Sequence, residues 1–289
     1  MIKIENVTKY YGSFKAIDNV SIDIPTGSIH GLVGENGAGK TTLIRCITGI
    51  YKLDGGSITI DGSSVYDDPK VKDRMGYVAD SNSYFPNAKI KEILEFFSYI
   101  YSAFDENRFH ELNKMFELPL NKKIKKLSKG MQMRLSLMLN LSLCPNVLVL
   151  DEPTSGLDAI AKKQVLDLLI SEVSERNCTI IISSHHLGEL EKLCDSLSIM
   201  QRGKIIYQDT IDRLKSRVVK FQAVFREAPD LSDIDSIINV ENIGSIYYII
   251  ADSNSEEIKE KLLLKGAELV EQTGMSLEEI FIYTSSGKE

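Results

Sequence analysis

Gly34-Glu35-Asn36-Gly37-Ala38-Gly39-Lys40-Thr41 brings three glycines, a lysine and a hydroxyl residue together at the spacing that wraps a backbone around phosphate. The glycines let the chain curl so that successive amide N–H groups converge on one anion. Upstream, Ile29–Val33 reads as a short buried strand, and downstream Thr42–Thr48 reads as the first turns of a helix. That helix adds the positive end of its dipole at the same spot. Lys40 then reaches the terminal phosphates, and the Thr41 hydroxyl is a ligand for the accompanying Mg²⁺. The motif, residues 34–41, predicts a nucleoside triphosphate site.

Val147-Leu-Val-Leu-Asp151-Glu152 is an apolar strand that ends in two carboxylates. Beside a phosphate loop, Asp151 serves the metal and Glu152 polarises a water for in-line attack on the γ-phosphate. The plainer reading makes this pair the N-cap of the next helix, and the two roles are compatible. Leu127-Ser128-Lys129-Gly130-Met131 places Ser and Gly at a predicted helix start, again an anion-binding arrangement, though weak alone. Ser155-Gly-Leu-Asp158 follows the carboxylate strand, and Ser183-Ser-His185 ends the next one.

These residues need a scaffold that carries them to one place. Residues 2–8 and 20–24 alternate as half-buried strands do, and 57–61 forms another, closed by Asp61-Gly62. From Lys89 to Leu118 the spacing is helical, with Ile90, Ile93, Leu94, Phe97 and Ile100 or Tyr101 on one face, until Pro119. A second helix runs from after Ser128 to Leu143. Residues 147–150 and 179–182 are continuous apolar runs separated by a helical stretch over 160–175, the pattern of parallel βαβ strands. Beyond about residue 215 the character shifts. Strands are predicted at 218–225, 244–251 and 268–271, a helix at 254–265, and a last helix capped by Ser276 with Glu279.

The chain has 289 residues, 43% hydrophobic and 26% charged, which is ordinary globular composition. A net charge of -7 gives no overall attraction to nucleic acid or anionic lipid. No apolar run approaches the roughly 18 residues that span a bilayer, so membrane contact is expected only through a partner. Cys46, Cys144, Cys178 and Cys194 lack metal spacing and read as reduced, packed thiols. Lys122-Lys-Ile-Lys-Lys126 reads as a solvated face, His30 and His110 as residues without special roles, and His186 as a helix start.

Taken in order, these motifs resemble the nucleotide-binding subunit of ATP-binding cassette (ABC) transporters over residues 1–214. The resemblance implies an α/β fold: a P-loop NTPase core with a mixed sheet and flanking helices, an antiparallel β subdomain, and a helical subdomain at about 81–143. Residues 215–289 are then a small C-terminal α+β extension. It also implies an ATPase with ATP and Mg²⁺. Tyr11 would stack on adenine; Gly34, Asn36, Gly37, Ala38, Gly39, Lys40, Thr41 and Thr42 would hold the phosphates; Thr41, Asp151 and Asp80 would serve the metal. Glu152, His185 and Lys40 carry the catalytic roles, while Ser128 and Gly130 act in trans on ATP held by a second subunit, and Asp158 links the two sites. Asp80 stands where the family usually has Gln, and Lys129 and Met131 replace the commonest Gly and Gln of the signature.

The implied partners are an integral membrane permease and a second ATP-binding subunit, identical or similar, at the cytoplasmic face of the membrane. Tyr84 and Phe85 would help line the groove that receives the permease. The C-terminal extension resembles those of bacterial export ATPases. The alternative is a soluble relative acting on nucleic acid or ribosomes, which usually carries two cassettes or basic extensions.

Overall fold

The structure is a computed structural model that describes residues 1–81, 84–252 and 255–285. Along the chain, β1 (Ile2–Tyr11) and β2 (Phe14–Ile24) form an antiparallel pair. β3 (Ile29–Val33) feeds α1 (Lys40–Ile47) through the glycine loop. β4 (Gly55–Ile60) pairs with the free edge of β1, and the short β5 (Ser63–Ser64) completes an antiparallel sheet. After α2 (Pro69–Asp73) and β6 (Met75–Val78) come α3 (Ile90–Ile100), α4 (Glu106–Phe116) and α5 (Lys129–Leu141). The chain then passes through β7 (Val147–Asp151), α6 (Ala159–Arg176), β8 (Thr179–Ser184), α7 (Leu187–Leu190), β9 (Ser196–Gln201) and β10 (Lys204–Thr210).

Burial explains which strands go where. β2 alternates buried and exposed positions along most of its length, so one face of its sheet meets water. β3, β7 and β8 are buried at every residue, as strands covered on both faces must be. They lie side by side in a six-stranded sheet of order β10-β9-β3-β8-β7-β6, with parallel pairing from β9 through to β6. Leu43, Ile44 and Ile47 of α1 join Ile2 and Ile4 of β1 and Val149 and Ile181 of the large sheet in one apolar core.

The helical stretch expected from Lys89 to Leu118 is two helices rather than one block. Asp105 ends the connection by capping α4, its carboxylate accepting from Arg108 N at 3.0 Å, while its own N–H donates to Ser142 O at 2.7 Å. Periodicity continues through such a break because both helices bury apolar faces. Ile100 and Tyr101, placed on the buried face by spacing, are exposed. The Arg108 guanidinium pairs with the buried Glu172 carboxylate of α6, tying α4 to the core. Cys46, Cys178 and Cys194 are buried free thiols. Burial pushes the Cys46 thiol up to about 11.

The second compact unit begins earlier than residue 215 and is not continuous. Leu187–Lys192 and Asp209–Glu289 group together, and Met1–His186 with Leu193–Gln208 form the first unit. The reason is local packing: Glu191, just after α7, accepts from Leu277 N at 3.1 Å and pairs with Lys215 at 2.8 Å. This unit holds α8 (Ile211–Arg217), β11 (Val218–Phe225), β12 (Ile237–Ile243), β13 (Ile246–Asp252), α9 (Ser255–Leu264), β14 (Ala267–Thr273) and α10 (Leu277–Ser285). Its antiparallel sheet has the order β12-β13-β11-β14, and Ile258 and Leu262 of α9 pack with Phe221 and Ile249. The Ser276–Glu279 capping box forms as expected. β12 escapes sequence reading because its last four residues are exposed and lack alternation.

His30 lies inside the core, 1% exposed on β3. Its two ring nitrogens meet the hydroxyls of Ser196 and Ser198 on β9 at 2.8 and 2.9 Å. Desolvation pushes its pKa down to about 4. The unfolded chain, with an ordinary value near 6.5, takes up the proton first as pH falls. This residue therefore removes stability progressively between about pH 6.5 and pH 4, roughly 2 kcal/mol of it by pH 5. Urea unfolding at pH 7 and pH 5 should show His30→Gln with a smaller pH-dependent loss than the parent chain by about that amount.

Candidate active site

The carboxyl ends of β3, β7 and β8 meet along one edge of the large sheet. Val33 lies beside Ser184, and Asp151 lies beside Ser183, so the glycine loop, the two carboxylates and His185 all emerge together. Ligands of open parallel sheets bind at this edge. A cleft of about 370 Å³ opens there, lined by Tyr11, Phe14, Ala16, Glu35–Gly37, Gly39–Thr42, Asp80, Asp151 and Glu152.

Two glycines of the loop are required by geometry. At Gly34 a Cβ would sit 2.3 Å from Met200 O. Gly39 has φ +109°, and its Cβ would lie 2.9 Å from Ala16 O. Lys40, buried at the start of α1, curls back over the loop and donates to Gly34 O at 2.6 Å and Glu35 O at 3.2 Å. An ammonium held there on carbonyls is already aimed at the space a phosphate would fill.

Asp151 is 2% exposed and accepts from Ser183 Oγ at 2.6 Å. Glu152 follows in the left-handed region, φ +52°, with its N–H directed at Ser183 Oγ, 3.1 Å away. Such a conformation in a non-glycine residue costs energy and concentrates at functional sites. It turns the Glu152 side chain away from the strand alternation, so that both carboxylates line the cleft. Glu152 Oε2 lies 2.9 Å from His185 Nδ1, and Oε1 lies 4.0 Å from Lys40 Nζ. An ionised carboxylate only accepts, so Nδ1 carries the proton in this pair. Glu152 does not cap the next helix; Asp158 does, accepting from Ala161 N at 2.9 Å. That bond, with Arg134 at 3.3 Å, holds the Asp158 carboxyl below its ordinary range.

Tyr11 is half exposed at the cleft mouth, edge-on to Tyr51 at 5.9 Å, its hydroxyl 3.4 Å from Thr42 Oγ1. Phe14, at the far end of the same hairpin turn and 66% exposed, also lines the cleft. Sequence reading missed it; an aromatic three residues after Tyr11, across a Gly-Ser turn, was the available signal. Ser183 was missed in the same way, as part of a string valued only for its histidine. Ser128 and Gly130 are not among the cleft-lining residues. They begin α5, where Ser128 Oγ accepts from Met131 N at 3.2 Å and a Cβ on Gly130 would meet Gly156 O at 2.9 Å. His186 precedes α7, its N–H bonded to Ser184 Oγ at 3.0 Å.

The ABC transporter family model matches residues 17–155. The ABC transporter ATP-binding protein YtrB of Bacillus subtilis (strain 168) is 32% identical over 100% of this chain and 99% of its own length. The chain belongs to the ABC transporter ATP-binding family. The bacitracin transport ATP-binding protein BcrA of Bacillus licheniformis is 37% identical over 76% of the chain and 73% of its own. Among solved structures, a dimeric ATP-binding cassette in a post-hydrolysis state, bound to ADP and Pi, aligns with TM-score 0.67 and 25% identity over 73% of this chain and 99% of that one. The protein is thus an ABC ATPase, which binds and hydrolyses ATP, and subunits of this family dimerise and work with membrane permeases. No helix among the described residues is long and apolar enough to cross a membrane.

A phosphate seated in this loop would meet the Lys40 ammonium, and a charge-assisted bond of that kind contributes about 1.5–3 kcal/mol. Lys40→Ala should therefore weaken ATP binding by at least about tenfold in a calorimetric titration. Ser183→Ala strips the hydroxyl from buried Asp151 and should lower unfolding stability by about 1–3 kcal/mol, read from urea denaturation.

Proposed function

We propose that this ABC ATPase pairs with a second copy or a similar subunit around two ATP-Mg²⁺ and drives a membrane permease in export. The observation that carries the reading is the Glu152–His185 pair, 2.9 Å apart and facing Lys40 across the cleft. Glu152 takes the proton from a water aimed at the γ-phosphate, and His185 holds its carboxylate in place. The loop amides and Lys40 stabilise the charge that spreads over the transferring phosphoryl group. Mg²⁺ fits the donors present: Thr41 and Asp151 offer hard oxygens, with Asp80 also on the cleft wall. Mg²⁺ takes one or two protein oxygens and completes its shell with phosphate and water, which these donors allow. When bound, it supplies charge neutralisation between the terminal phosphates.

Ser128 and Gly130 lie outside the chain's own cleft, and in the sandwich they reach the γ-phosphate held by the other subunit. Asp158, at the start of α6, communicates between the two sites. Tyr11, with Phe14 beside it, takes the adenine. Closure around ATP and reopening after hydrolysis move the permease through a groove of about 440 Å³ lined by Tyr84, Phe85, Phe96 and Phe97, on the cytoplasmic face. Relatives named for bacitracin and lantibiotic transport support the export direction.

Glu152→Gln keeps the shape of the side chain and removes the base. The variant should retain ATP and elute as a dimer in size-exclusion chromatography with ATP and Mg²⁺, while phosphate release falls at least about a hundredfold. An ATP-loaded monomer would refute the sandwich.

A further inference from the structure

Lys129, the first residue of α5, has a side chain 53% exposed that reaches a junction of three segments. Its Nζ lies 2.8 Å from Asp80 Oδ1 and 3.0 Å from Ser155 Oγ. Its methylene stem runs over Gly156, where a Cβ would come within 3.4 Å of Lys129 Cδ. Asp80 in turn lines the nucleotide cleft. A carboxylate at that position repels a triphosphate, and an ammonium at 2.8 Å offsets part of that repulsion, screened because both groups are about half exposed. The same ammonium ties the first residue of α5, whose cap is Ser128, to Asp80 and Ser155.

We propose that Lys129 is a positioning residue: it neutralises the cleft carboxylate of Asp80 and couples occupancy of the chain's own ATP site to the Ser128 segment offered to the other subunit. This rests on the sandwich reading for the destination of Ser128, but not for the Asp80–Lys129 contact. A charge entering the cleft acts on the Asp80 carboxylate, one of the groups that line it. Asp80 is bonded to the residue that follows Ser128, so a shift of that carboxylate is carried to α5 by a single ion pair. Tyr84 Oη, bonded to Ser136 Oγ at 3.1 Å, holds the helix about two turns further on. The start of α5 is thus the end tied to the cleft through Asp80. An exposed pair has a modest effect, which sets the size of the signal.

The test is a double-mutant cycle on the full chain, with a fluorescent ATP analogue titrated in EDTA so that no metal competes for Asp80. Lys129→Met should weaken binding about fivefold in the parent chain, because it unmasks the carboxylate. In an Asp80→Asn chain the same change should alter binding by less than about twofold, and Lys129→Arg should restore parental affinity. An equal loss in both backgrounds would overturn the proposal, since Lys129 would then act on the phosphates directly; no loss in either would overturn it as well. Amide hydrogen exchange gives the second arm. Nucleotide should change protection at residues 129–133 in the parent and leave it unchanged in Asp80→Asn, whereas a persistent response in that variant would show that the ion pair transmits nothing. Parent chain that fails to bind the analogue would instead refute the functional reading itself, and the contact's coupling with it.

Discussion

Three parallel strands, β3, β8 and β7, finish in register, and the positions of the glycine loop, Asp151, Glu152 and His185 depend on that alignment. The pairs Val33 with Ser184 and Asp151 with Ser183 place the glycine loop, the carboxylates and His185 within a few ångströms of one another. Side chains alternate between faces along a strand, so a slip of one residue in β7 would move Asp151 off the hydroxyl of Ser183 and turn it to the opposite side of the sheet. Complete burial of all three strands makes such a slip costly, because apolar side chains fill both faces. Burial here is the means by which the polar atoms of the cleft are held in place.

The same constraint concentrates charge. Asp80, Asp151 and Glu152 face a cleft built for a polyanion, and each is matched by a donor from a different segment. Ser183 holds Asp151, His185 holds Glu152, and Lys129 holds Asp80. Lys40 rests on backbone carbonyls of its own loop, contacts that phosphate oxygens would replace. The left-handed backbone of Glu152 belongs to this economy of position: one unfavourable φ turns two successive carboxylates toward one substrate.

The second unit is organised on different terms. Its sheet is wholly antiparallel and carries its own apolar core, with Phe221, Ile249 and Ile258 at the centre. It also claims the short α7 segment, which the chain reaches directly after His185 and His186. Contact density rather than chain order decides membership. For that reason a composition shift near residue 215 marks the neighbourhood of the boundary but neither its position nor its second piece.

By itself the sequence determined the chemistry of the site and its strand–loop–helix setting. Glycines that need positive φ, a lysine after them, and carboxylates at the end of an apolar strand are constraints between near neighbours, and near neighbours are what linear spacing records. It likewise determined the buried β3, β7 and β8, the α6 span and the Ser276 cap, all written in local periodicity or local bonding. Only the tertiary structure decided which distant residues meet. Ser183 beneath Asp151, Lys129 on Asp80, and His30 between two serines of β9 are contacts across large sequence separations. The helix break at Asp105, set by a bond to Ser142, is of the same kind. Such contacts arise when packing fixes the backbone and leaves each polar group to find its partner in three dimensions. No one-dimensional pattern carries that choice.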